Sequence, residues 1–421
     1  QACQVRPLPP EAPTMSTLAL DFGTSNSAAA ILEDGQIRRL PIEDGSDTLP
    51  TAVFFPSDKS EMRVGLAAAM ALLQGEEGRY MRALKSVLGS GLFHESRMIG
   101  GKRRTLANVV TEFLALVKSR AEAQSGHSFS AILSGRPVHF HPDPARDAKA
   151  EADLTACYKA AGFAQVDYLF EPEAAALAAH QGREGLGLIV DIGGGTSDYS
   201  VFASEGGKMK ILASHGIRLG GTDFDHSVSM AHAMPWLGRG SSLHREMGAG
   251  EVPMPNHLYV DLSTWARIPF LYTPETRNEV AQMLRLAIKP RLLRRLAHVL
   301  KAELGHDIAF AVERAKINAN AGREGAKVDL SRVEAGLAVP ITPESLEKSL
   351  RKYRSPLREA ASLCCEKAGI APEAITEVVL VGGSSLMALV GQEAQALCPN
   401  ATLRASEPFT AVVDGLALAT A

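Results

Sequence analysis

Two stretches, "LALDFGTSNSAAAIL" at residues 18–32 and "LIVDIGGGTSDYSV" at 188–201, share one plan: an apolar run, an aspartate, a glycine turn with hydroxyl residues, and a second apolar run. Each continues into another turn signal, Asp34-Gly35 and Gly206-Gly207, and a further strand-like segment. Repetition of strand, glycine turn, strand, turn and strand predicts a duplicated α/β architecture in which two related lobes each lend a loop to a common cleft. With 421 residues the chain is long enough for two such lobes. "NVVTEFLALVKSRAEA" places Val109, Val110, Phe113, Leu116 and Val117 on one helical stripe, and "EPEAAALAAH" has the acids expected at a helix start. "SAILSGRPV" and "EVVLVGGSS" read as further strands entering turns.

The glycine turns join strand to strand. They lack the Gly-Lys-Ser/Thr ending of a P-loop and the G-x-G-x-x-G helix opening of a dinucleotide fold. Consecutive glycines let backbone N–H groups wrap an anion, yet Asp21, Asp191 and Asp198 lie beside them. Acids next to a phosphate are tolerable when a hydrated Mg²⁺ lies between, because that ion keeps several waters and prefers carboxylate and phosphate oxygens. Asp21 and Asp191 are therefore expected to hold a magnesium water shell from opposite lobes.

Charge is nearly balanced, 44 basic against 47 acidic residues, so nothing draws the whole chain to nucleic acid or an anionic membrane. Five cysteines without C-x-x-C spacing suit a reducing cytoplasm, and no apolar run is long enough for a membrane span. "HFH" at 139–141, beside Pro142 and Pro144, reads as a strand end rather than as metal ligands, and Cys364-Cys365 as helix core. The basic segment Lys289 to Lys301 reads as a solvated helix face. Residues 1–14 are set aside as a tail or upstream scar. The expected organisation is a first lobe over 15–184, a second over 185–403 with an insert at about 236–306, and a helix within 404–421 that returns to the first lobe.

In order, "LALDFGTSNSAAAI", "FEPEAAALAAH", "VDIGGGTSDYSV", "LGGTDFDHSV" and "VVLVGGSSLMALV" resemble the phosphate, connecting and adenosine segments of the actin-like ATPase superfamily. "GGTDFD" and "ALKSVLG" resemble the nucleotide-binding domain of its heat-shock branch, the DnaK-type chaperones, and "VDLSTWARIPFLYT" resembles the short YegD-like group of that branch. The resemblance implies a two-lobed, duplicated ribonuclease H-like fold with ATP or ADP and Mg²⁺ in the interlobe cleft. It puts the loops Gly23, Thr24, Ser25, Asn26 and Gly193, Gly194, Gly195, Thr196, with Gly220 and Gly221, around the phosphates. Lys85 corresponds to the family's catalytic lysine, and Glu171, Asp198 and Thr196 join it as catalytic candidates. The adenosine side comprises Glu313, Lys316, Ile317, Asn320, Gly382, Gly383, Ser384 and Leu386.

Two departures shape the expectation. Ile317 and Leu386 stand where the family has arginines flanking adenine, so apolar faces replace cationic ones, at about 0.5 to 2 kcal/mol per lost cation–π contact. The chain also ends seven residues after Asp414, which implies a nucleotide switch without a peptide-binding domain. The expected partner is a separate protein or client, the expected state a monomer, and the expected activity slow ATP hydrolysis. A small-molecule kinase of the same superfamily, an actin-like filament protein and a non-hydrolysing nucleotide binder stand as alternatives.

Overall fold

The computed structural model describes residues 17–58, 61–179, 184–206, 208–405 and 410–421. The opening segment 1–14 and Gly207 of the second turn signal lie outside the described residues. Two five-strand arrays repeat one topology. In the first, Thr17–Phe22 pairs antiparallel with Asn26–Glu33, which pairs antiparallel with Gln36–Leu40. On its other edge Thr17–Phe22 runs parallel to Ala131–Arg136, and that strand to Gln165–Phe170. In the second, Gly185–Ile192 is antiparallel to Ser197–Glu205 and this to Lys208–Ile217, while Glu377–Val381 and Thr402–Ala405 continue the sheet in parallel. Both arrays thus have order three, two, one, four, five. At the first hairpin Asp34 and Gly35 take φ of 50° and 72°, the left-handed pair that a two-residue turn needs to match strand twist.

Helices Glu171–Ala179 and Ala411–Leu418 lie between the sheets and bind them into one molecule. Ala174, Ala175 and Ala176 share a core with Val413 and Leu416, with Ala19, Ala28 and Ala30 of the first sheet, and with Ile189 and Val379 of the second. Small residues allow this approach: a Cβ at Gly415 would sit 1.7 Å from the Ala174 carbonyl oxygen. Arg39 fastens the last helix to the first sheet with bonds of 2.9 and 2.6 Å to Asp414.

Helix Leu106–Ser125 begins at Thr105, whose hydroxyl accepts from the Asn108 N–H, and ends where Gly126 turns left-handed at φ 76°. Val109, Val110, Phe113 and Val117 are buried on it; Leu116 is only half-buried, and Leu114 completes the packed stripe instead. "HFH" does not end a strand. Strand Ala131–Arg136 stops earlier, and the segment forms a loop tied down by Asp147, which accepts from the Phe140 and His141 N–H groups. Cys364 and Cys365 are buried in helix Arg354–Ala368. Helix Pro290–Lys301 packs Leu293, Leu296, Val299 and Leu300 inward, and Arg295 is buried with them, donating to Glu334 at 2.6 Å and to the Trp236 carbonyl at 3.2 Å. Among the described residues no helix is long and apolar enough to cross a membrane.

Candidate functional site

The glycine turns occupy the same place in the two sheets, after the central strands Thr17–Phe22 and Gly185–Ile192, so duplication brings them face to face. They meet closely: a Cβ at Gly194 would lie 2.6 Å from Ser25 Oγ, and one at Gly195 3.1 Å from Thr24 Oγ1. Only glycine leaves room for the two backbones to converge there. The carbonyls of Gly193 and Gly194 accept from the N–H groups of Gly221 and Thr222, at 2.9 and 2.8 Å. Gly220 presses on the back of this loop, where a Cβ would stand 2.6 Å from Gly195 N and 2.7 Å from the Gly194 carbonyl carbon. Gly220 and Gly221 therefore brace the second loop from behind and do not line the cavity.

Between the loops opens a cavity of about 280 Å³. Asp21, Gly23, Thr24, Ser25, Asn26, Lys85 and Glu171 line it from the first half of the chain. Asp191, Gly193, Gly194, Gly195, Thr196, Glu313, Lys316, Ile317, Gly382, Gly383 and Ser384 line it from the second. Residues more than 300 positions apart in sequence are thus gathered around one space.

Its floor is acidic. Asp191 and Asp198 are register partners on adjacent strands, and both are buried. Asp198 is sealed beneath the cavity, with one oxygen accepting from the Val138 N–H at 2.7 Å. Burial, then the nearby Glu171 carboxylate, pushes the Asp198 carboxyl up to about 8, against the pull of its hydrogen bonds and Lys85. Burial, then Glu171, likewise raises Asp21 to about 7. Asp191 is held well above the carboxylate range by burial and by Glu171, Asp198 and Asp21. The cation nearest these acids is Lys85, which is only 8 % exposed and donates to Glu171 at 2.6 Å. It is not a solvated surface lysine. Glu171 opens helix Glu171–Ala179, so its carboxylate sits at a helix N-terminus as well as on the lysine.

Among the described residues no three His, Cys, Asp or Glu side chains are grouped closely enough to hold a metal ion.

On the opposite wall, helix Gly305–Asn320 presents Glu313 and Lys316, each already engaged. Arg82 donates to both Glu313 oxygens at 3.0 and 3.3 Å and stacks 4.6 Å above the Trp265 ring. Lys316 pairs with Asp225 at 2.7 Å, and Asp225 also accepts from the Trp265 indole at 3.1 Å. Asn320 does not line the cavity; it accepts from the Ala388 N–H and donates to the Leu386 carbonyl, fixing the turn that carries Leu386. Ile317 and Leu386 are 51 % and 46 % exposed, large apolar side chains with uncovered surface. Of the two, only Ile317 reaches the cavity lining.

Arg82, Ser86, Arg218 and Met387 also line the cavity, and sequence reasoning missed them. The only signals were a basic residue closing the apolar-flanked strand Gly78–Arg82 and another just before the "LGG" turn. Arg218 reaches across the cleft to donate to the Ser86 carbonyl at 2.8 Å, so the turn bearing Lys85 is tied to the opposite lobe.

The Hsp70 protein family model matches residues 90–236. A chaperone protein HscA homolog of Pseudomonas fluorescens is 32 % identical over 234 residues, 50 % of this chain and 36 % of the relative. The chaperone protein HscA of Pectobacterium carotovorum is 27 % identical over 428 residues, and an HscA homolog of Shewanella putrefaciens 26 % over 423. Each of those alignments takes in 95 % of this chain and 57 % of the relative, so the chain spans a third to just over half the length of these curated relatives. The matches and the duplicated sheets support an Hsp70-type, actin-like ATPase fold with a chaperone-like nucleotide-binding domain.

Proposed function

We propose that the protein binds Mg-ATP in the interlobe cleft, hydrolyses it slowly, and passes the resulting lobe movement to a separate protein partner or client. One observation carries this reading: duplicated glycine loops face each other across a cavity whose floor holds Asp21, Asp191 and the Lys85–Glu171 pair. N–H groups of the second loop and the hydroxyls of Thr24 and Thr196 bind the phosphates. Asp21 and Asp191 would hold the water shell of a magnesium ion, whose chemistry here is to neutralise phosphate charge. Lys85 offsets negative charge on the transferring phosphoryl group, and Glu171, bonded to it, orients the attacking water. The base lies against Ile317, an apolar side chain rather than a guanidinium group, with Leu386 beyond the cavity lining.

Both lobes contribute to the phosphate site, so filling it alters their relative position, and contacts such as Arg218 to Ser86 would transmit the change. The "VDLSTWARIPFLYT" segment supports kinship with the short YegD-like group and a role as a nucleotide switch. The test is ADP formation by the purified chain with Mg-ATP and no added acceptor. Slow turnover is expected. ADP appearing only with a small-molecule acceptor would assign a kinase, ATP-dependent pelleting a filament, and binding without turnover a non-hydrolysing binder.

A further inference from the structure

A second cavity, about 480 Å³, continues from the far end of the phosphate loops and shares Ser86, Gly195 and Arg218 with the first. Its walls come from both lobes: the turn following Lys85 and the His141–Arg146 segment on one side, and helix Gly221–Val228 with the stretch around Trp265 on the other. Its charged lining is mostly basic, Arg146, Arg218 and Arg267 against Asp223. Arg267 is matched by Asp261 at 2.8 Å, but among the described residues neither Arg146 nor Arg218 has a carboxylate within ion-pair reach. Arg218 donates to a neutral carbonyl, and Arg146 only approaches His141 Nε2 at 3.5 Å. The acid on this wall, Asp223, accepts from the Gly220 N–H at 2.9 Å, and the Arg218 charge reaches it without forming an ion pair.

Two exposed guanidinium groups that form no ion pair, one from each lobe, on the lining of one cavity suit an oxyanion, since guanidinium donors recognise planar and tetrahedral oxyanions in bidentate fashion. We infer that this cavity is a binding site for a small phosphorylated or carboxylated molecule, separate from the nucleotide and adjoining its phosphate end. The inference takes from the nucleotide reading only which end of the cleft holds the phosphates. Because Arg218 borders both cavities, the bound oxyanion touches the same side chain that ties the lobes together.

Trp265 lines this cavity and is one of two tryptophans, so a chain carrying Trp236→Phe reports on it alone. Inorganic phosphate, and acetate in a parallel arm, are titrated into that full chain with and without a saturating non-hydrolysable ATP analogue, at ionic strength fixed with chloride. The expected result is a saturable change in Trp265 emission that persists with the analogue bound and weakens about tenfold or more in Arg146→Gln. Analogue affinity should be unaltered by that substitution. The tighter of phosphate and acetate identifies the ligand's charged group. Loss of the response once the analogue binds, an unchanged affinity in Arg146→Gln, or no saturable response would overturn the site. If the analogue fails to bind while the Arg146-dependent response remains, the nucleotide reading falls and this site stands.

Discussion

Replacing Asp198 with asparagine should stabilise the nucleotide-free protein, and increasingly so as pH rises. Asp198 is 1 % exposed, and its carboxyl is raised from an ordinary 3.8 up to about 8 by burial and by Glu171. A carboxyl raised on folding contributes stability that is fully present below pH 3.8 and is lost as pH climbs through about 8, because the unfolded chain ionises freely while the folded one resists. At about 1.4 kcal/mol per tenfold change in proton affinity, full ionisation in place costs about 6 kcal/mol. Between pH 5 and 7 the corresponding loss is about 3 kcal/mol. Asparagine keeps an acceptor for the Val138 N–H, bonded at 2.7 Å, and removes the titration. Urea unfolding in chelator at pH 5, 6 and 7 should give stability curves that diverge, parent and Asp198→Asn separating by about 3 kcal/mol over this range. Parallel curves would refute the claim that desolvation and the neighbouring carboxylate hold this acid protonated.

Three further outcomes follow from the cleft. Lys85→Ala should lower the single-turnover hydrolysis rate about 100-fold or more with little change in ATP affinity, as quench-flow and titration together would show. Gly220→Ala should abolish tight ATP binding in a folded protein, since the new methyl meets backbone atoms of Gly194 and Gly195 at 2.6 to 2.8 Å; unaltered calorimetric affinity would show that the brace is not needed. Ile317→Arg with Leu386→Arg should tighten ATP binding by about 1 to 3 kcal/mol, the gain expected from guanidinium groups over the base; equal or weaker binding would place other groups there.

The duplicated loops were legible because glycine and aspartate leave a local pattern: each turn follows an apolar strand and carries its own acid, so two matching segments imply two matching sheets. Lys85 was different. Nothing in its neighbourhood distinguishes it from a surface lysine except likeness to a family segment, and its burial against Glu171 depends on a contact 86 positions away. Arg82 escaped for the same reason, since its partner Glu313 lies 231 positions along the chain and no periodicity links a strand end to a helix face so distant. The "LGGTDFD" motif alone points Gly220 and Gly221 at the phosphates. Their place behind the second loop comes from packing, where the missing side chains admit Gly194, Gly195 and Ser384.

Isothermal titration of ATP into the purified chain, once in Mg²⁺ and once in chelator, bears most directly on a magnesium-nucleotide site between the lobes. One site per chain is predicted, with tight binding in Mg²⁺ and a large loss in chelator, because Asp21 and Asp191 then face the phosphates with no cation between them. Equal affinity in the two buffers, or no binding in either, would contradict the account.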